Sequence, residues 1–367
     1  MASPRISRRS WGAAHGQDVS LFTLSSGGGL RARISNYGGV IQSIWVPGRD
    51  GRPENVALGF ATLEDYLAHG ETTYFGAAVG RYANRIGGHS FTLGGQRYEL
   101  PANEGSNCLH GGPGAWSSAV WNVGEVWRDS DGVGLTLHHV DPDGHNGFPG
   151  EVTATVAYTV RAEGALEVQW EAATTEPTVI NLTQHTYFNL AGEASGQVDR
   201  QLLRIPAARF IPIDDDQVPT GEFADVAGTP FDFRRLRPIA PRSGAARRPW
   251  GEQLAIARGY DHSWVLNGPP GRLRRAAVAV DPVSGRRLTV STTEPAVQLY
   301  TGNMLAGDLV GTGGSIYRQG AGFALETQHY PDSPNHMGEP DWPSVVLEVG
   351  QVFRSKTVYA FSVTAEG

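Results

Sequence analysis

With 367 residues the chain can bury a large core without help from disulfides or metals. Its lone cysteine, Cys108, rules out an intrachain disulfide and fits a reducing, cytoplasmic location. The 30 basic and 37 acidic residues leave a formal net charge of −7, and no apolar run approaches the length of a membrane span, so neither nucleic acid nor membrane is an expected partner.

In chain order, residues 1–10 read as a tail. Ser7-Arg8-Arg9-Ser10-Trp11 carries the paired arginines of an export signal, but the polar stretch 12–19 lacks the apolar segment such a signal needs. Thr62 and Asp65 make a capping box for a helix over 63–69, with Gly70 as its stop. Residues 91–100 read as a hairpin turning on Gly94-Gly95, a pair that accepts the positive φ angles of a tight turn. Val152, Ala154, Val156, Tyr158 and Val160 alternate with threonines and an alanine. After a turn, Leu166, Val168 and Trp170 alternate with Glu167, Gln169 and Glu171. Residues 220–250, rich in Pro, Gly and Arg, read as an irregular excursion, and 276–280 pairs with 287–292 through Asp281-Pro282 and Gly285. Short strands with frequent turn signals and little helix imply an all-β chain: a large antiparallel β-sandwich with residues 11–367 as one domain. The basic clusters Arg234-Arg235-Leu236-Arg237, Arg247-Arg248 and Arg272-Leu273-Arg274-Arg275 have no aromatic interleaving and read as solvated loops.

The most informative segment is 181–190. As a strand it puts Asn181, Thr183, His185, Tyr187 and Asn189 on one face and Leu182, Gln184, Thr186, Phe188 and Leu190 on the other. A row of uncharged hydrogen-bonding groups is costly to bury against an apolar core, and suits the wall of a wet cleft for a hydroxyl-rich ligand. Among the five, His185 alone exchanges a proton near neutral pH.

Cofactor signatures are missing: no phosphate-binding G-x-x-x-x-G-K-[ST], no strand–G-x-G-x-x-G–helix, no G-x-S-x-G elbow and no H-E-x-x-H. His138 and His139 are neighbours on an expected strand and face opposite sides, so they cannot share a metal. No cofactor and no metal are expected. The remaining constellations are polar: Gly80-Arg81-Tyr82-Ala83-Asn84-Arg85, His110 before Gly111-Gly112, Tyr260-Asp261, Gln298 near a strand end, and Glu326 before the rigid Pro331-Asp332-Ser333-Pro334 loop. Each has a structural explanation as an ion pair or turn. Together they supply the mixture of His, Asp, Glu, Arg and amides that recognises neutral polyols.

These stretches, in order and spacing, resemble the aldose 1-epimerase family: Asn-Arg-Ile at 84–86, Leu-His-Gly-Gly at 109–112, Gly-Phe-Pro-Gly at 147–150, the strand at 181–190, and Pro-Thr-Gly at 219–221. They continue with Gly-Thr-Pro-Phe-Asp-Phe at 228–233, Gly-Tyr-Asp-His at 259–262, Tyr-Thr-Gly-Asn at 300–303 and Leu-Glu-Thr-Gln at 325–328. The resemblance implies a β-sandwich with a monosaccharide in an open cleft, no cofactor, a monomer or homodimer, and interconversion of the α and β anomers of hexoses. It implies Glu326 as general base and His185 as general acid, with Asn84, Arg85, His110, Tyr187, Asp261 and Gln298 binding the sugar and Arg81 as structural support. Gln184 and Cys108 depart from the family's usual Asn and Ser, and His329 and His336 fall in the loop after the base. The rival readings are a relative acting on hexose 6-phosphates, which needs a cationic pocket, a glycoside hydrolase built on Glu326 and Asp261, and a noncatalytic sugar-binding module.

Overall fold

The computed structural model describes residues 3–240 and 250–364; the Arg247-Arg248 cluster lies outside them. The alternating stretches form long antiparallel ladders. Val152–Arg161 pairs with Ala165–Thr174, setting Val156 opposite Trp170 and Tyr158 opposite Val168. Ala165–Thr174 pairs in turn with the C-terminal strand Phe353–Val363, which pairs with Arg286–Thr292. These are the centre of a nine-stranded sheet, and it faces a six-stranded sheet whose inner strands are Phe323–Gln328, Ala296–Tyr300 and Asp261–Val265. The Gly94-Gly95 hairpin forms as expected, with φ of 59° and 82° at the two glycines.

One apolar cluster fills the space between the two sheets. Tyr158, Leu166, Val168 and Trp170 enter it from one side; Phe210, Trp264, Val297, Leu299, Phe323 and Leu325 enter from the other. Side chains alternate along a strand, so the intervening residues Asp261, Gln298, Tyr300 and Glu326 are carried on the outer face of the six-stranded sheet. The register then sets Gln298 beside Glu326 and Asp261 beside Tyr300. Burying alternate residues in the core thus gathers four of the site's side chains, from three strands, on one surface.

Several expectations need correction. The tail is a strand from Arg5 onward: Arg5–Ala14 pairs with Gln17–Ser25 in a five-stranded N-terminal sheet. Its charged residues are those an edge strand carries to discourage further pairing. The helix does not stop at Gly70 but runs Leu63–Thr73; Thr62 Oγ1 accepts from the Asp65 N–H as the capping box requires, and Tyr74 ends it at φ 53°. Glycine weakens a helix interior by only about 1 kcal/mol, and burial of Thr73 and Tyr74 carries the helix past it. The cluster at 234–237 is only partly solvated, because Arg237 is buried and donates to Pro230 O (2.7 Å) and Tyr260 Oη (3.3 Å). Among the described residues no helix is long and apolar enough to cross a membrane.

Arg81 is the structural support expected of it. Its guanidinium, 1% exposed, pairs with Asp141 (Nε–Oδ2 2.8 Å) and donates to the carbonyls of Pro149 and Gly150, each at 2.7 Å. Removing one partner of such a pair strands the other charge in a dry interior. Asp141→Ala is therefore expected to lower the unfolding free energy by about 3–5 kcal/mol, read from urea titrations of both proteins.

Candidate active site

The polar face of 181–190 divides between structure and cleft. The segment is not one strand but two short ones, Thr183–His185 and Tyr187–Phe188, paired with Ala77–Val79 and with Phe323–Gln328. Asn181 accepts from the His329 N–H (2.8 Å) and donates to Ala83 O (3.0 Å); Thr183 donates to Thr327 O (3.0 Å); Asn189 donates to Gly196 O and Ala321 O, each at 2.8 Å. Buried amides and hydroxyls need partners, and these three found them on the backbone. His185 and Tyr187 alone of the row line the cleft.

A two-stranded ribbon supplies the opposite wall. Arg85–Ile86 pairs with Cys108–Leu109, which brings Asn84 and His110 together at its end. Both take positive φ, 69° and 53°. The Asn84 N–H donates to His110 Nδ1 (3.0 Å), and the His110 N–H returns a bond to Asn84 O (3.2 Å). The corner is tight: a Cβ on Gly111 would stand 2.5 Å from Gly80 O, so only glycine fits after His110.

The cleft between these walls has a volume of about 250 Å³ and is open to solvent; Asn84, Arg85, His110, His185, Tyr187, Asp261 and Glu326 all line it. His185 Nε2 and Glu326 Oε1 are 3.5 Å apart, and both residues are almost wholly buried. Arg85 grips Glu104 with two bonds (2.6 and 2.7 Å) and reaches Asp261 Oδ2 at 3.6 Å. Gln298 does not line the cleft. It lies beneath it and donates Nε2 to Asp261 Oδ1 (2.7 Å), which fixes that carboxylate.

Burial sets the proton affinities. It pushes the Glu326 carboxyl well above its ordinary range, with the charge of Asp261 adding to the effect and Arg85 opposing it. It pushes the His185 imidazole down to about 4. The two shifts run in opposite senses: burial favours the neutral imidazole and the neutral carboxyl. Burial also holds Asp261 above the usual carboxylate range, against the pull of Arg85.

The ring nitrogens of His110 and His185 and a Glu326 oxygen lie within 4.8 Å of one another, a spacing that invites a metal. The hydrogen bond at His110 argues otherwise. Because Nδ1 accepts from the Asn84 N–H, the neutral ring carries its proton on Nε2. His110 therefore presents a donor to the cleft, where a metal requires a lone pair.

A family model described as aldose 1-epimerase matches residues 20–360. The chain belongs to the aldose 1-epimerase family. It is 40% identical to galactose mutarotase of Bos taurus over 334 residues, covering 91% of this chain and 92% of that one. It is 34% identical to aldose 1-epimerase of Escherichia coli (strain K12) over 351 residues, covering 95% and 97%. Among solved structures, galactose 1-epimerase from Lactobacillus acidophilus superimposes with a TM-score of 0.84 at 28% identity, covering 99% of this chain and 100% of that one.

In this member of the aldose 1-epimerase family, sequence reading missed Tyr74, Glu104, Gln217, Tyr300 and Met304, which also line the cleft. Tyr74 and Glu104 belong to none of the motifs in the sequence, and nothing local to either residue signals a cleft. His329 and His336 stay outside the cleft, bound to Glu294 (2.8 Å) and Glu339 (2.9 Å).

Burial, then the positive charges of His185 and Arg85, hold the His110 pKa well below 6.5. A group depressed in this way stays neutral as pH falls through its ordinary value. Long-range 15N–1H NMR is expected to report a neutral ring protonated on Nε2 from about pH 5 to 8; an imidazolium pattern at the acid end would contradict the tautomer.

Proposed function

We propose that this chain interconverts the α and β anomers of hexoses such as D-glucose and D-galactose, with Glu326 as general base and His185 as general acid. The observation that carries the reading is the 3.5 Å contact between an imidazole and a carboxylate in a cleft otherwise lined by hydroxyl-binding groups.

Anomer exchange breaks the bond between C1 and the ring oxygen. Glu326 takes the proton of the C1 hydroxyl, the C1 carbonyl forms as the ring bond breaks, and the ring oxygen takes a proton from the His185 imidazolium. The open-chain aldehyde turns about C1–C2 and closes on its other face, with both protons travelling back. The ionic pair that begins this step and the neutral pair that ends it differ only in where one proton sits. Burial, which disfavours both charges, makes the ionic pair the less populated form, and transfer from it to the neutral pair runs downhill once it forms. Asp261, fixed by Gln298, and Arg85 hold distal hydroxyls while C1 turns; the His110 Nε2–H is placed to stabilise charge near the ring oxygen.

Two rivals are open to direct test. A hexose 6-phosphate needs a free cation; Arg85 is committed to Glu104 and Asp261, and Arg258 at the cleft wall is the guanidinium left to test by competition with glucose 6-phosphate. A glycosidase built on Glu326 and Asp261 would have both carboxylates in the cleft, and release of reducing sugar from an aryl glycoside distinguishes it from a mutarotase. A cytoplasmic location and a monomeric or homodimeric state belong to the same reading, the first supported by the buried free thiol of Cys108.

Polarimetry on fresh α-D-glucose and α-D-galactose tests the activity; a rate equal to buffer alone would refute it. Glu326→Gln and His185→Asn, if folded, are each expected to lower kcat by about 10²–10⁴-fold, and full activity in either would refute its assigned role. The pair acts in its one-proton form. Activity against pH is therefore expected to be bell-shaped, with kcat/KM falling on the acid side as His185, depressed to about 4, takes a second proton. The alkaline fall comes as Glu326, raised by burial, loses the last one.

A further inference from the structure

Tyr74 ends the helix Leu63–Thr73 in the left-handed region, at φ 53° and ψ 23°. That position favours glycine or asparagine, since a side chain with a Cβ is strained there. The chain nonetheless keeps a large aromatic ring, 8% exposed, in the wall of the cleft. Strain retained beside a site invites a functional reading.

The ring meets both cleft histidines. It lies near-parallel to His185, with centroids 5.9 Å apart and planes at 27°, and edge-on to His110 at 4.5 Å. Tyr187 packs on the same imidazole at 5.0 Å and 28°. His185 Nδ1 is buried with no hydrogen-bond partner on any other residue, so its polar surroundings do little to orient the ring. The negative face of a phenol ring attracts a cation within about 6 Å of its centroid, and both tyrosines stand within that reach of the imidazole.

We propose that Tyr74 is a positioning residue for the general acid: its ring, not its hydroxyl, keeps the His185 imidazole in plane and stabilises the imidazolium form. The proposal rests on the assignment of His185 as acid and goes beyond it by naming what orients that ring.

The test is a set of folded variants assayed by polarimetry under saturating and limiting sugar: Tyr74→Phe, Tyr74→Leu, His185→Asn, and the Tyr74→Leu/His185→Asn double variant. Tyr74→Leu is expected to lower kcat about tenfold with KM within about twofold. Tyr74→Phe, which keeps the ring, is expected to restore kcat to near the wild-type value. In the His185→Asn background the Leu substitution is expected to cost less than about twofold more, because the group it acts through is gone. A raised KM with intact kcat would make Tyr74 a sugar contact and overturn the proposal. So would a loss in Tyr74→Phe equal to that in Tyr74→Leu, or full additivity in the double variant. An undiminished rate in His185→Asn alone would instead mark the acid assignment as the failure, and the proposal would fall with it.

Discussion

A single guanidinium among three carboxylates is the constraint on which the site rests. Arg85 binds Glu104 and Asp261 directly, and its charge opposes the upward shift at Glu326. Asp261 and Glu326 come from strands separated only by Ala296–Tyr300, and both are buried. Without a cation between the walls, two carboxylates so placed would each hold the other protonated. Arg85 draws the affinities of both carboxyls back toward the ionised form, which is what the roles proposed for Asp261 and Glu326 require. The price is that Arg85 has little capacity left for an anionic substrate.

The sandwich delivers these groups through its alternation. The same period of two that sends Leu325, Leu299 and Trp264 into the core sends Glu326, Gln298 and Asp261 outward on the register-matched neighbours. The outer face needs no separate scaffold, since every apolar anchor of the core fixes the polar residue next to it. The opposite wall is held differently. The ribbon of Arg85–Ile86 and Cys108–Leu109 is too short to be rigid alone, and it is locked by left-handed residues, a glycine without room for a Cβ, and reciprocal bonds between Asn84 and His110.

Sequence periodicity carried the sandwich, the main hairpins and the polar face of 181–190, because alternation is what a half-buried strand requires. It did not carry depth. Gln298 has the right face and the right neighbour, yet sits behind the cleft lining and holds Asp261 in place. Asn181 and Asn189 have the polarity of a cleft wall, yet spend it on loop carbonyls, whose position only the folded chain defines. Arg5–Ala14 escaped because an edge strand rich in arginine looks like a tail. Tyr74 escaped because the helix was expected to stop at Gly70, four residues short of it, and the strained φ that distinguishes it is invisible before folding.

The roles proposed for His185 and Glu326 have a further consequence. Whatever leaves the sugar on ring opening returns to it on closure, so a turnover begins and ends with the same protonation and draws nothing from water. Such a cycle requires no relay to the surface. Both groups can therefore remain almost wholly buried, where dry surroundings strengthen every electrostatic contact with the sugar, and the open mouth of the cleft has only to pass substrate.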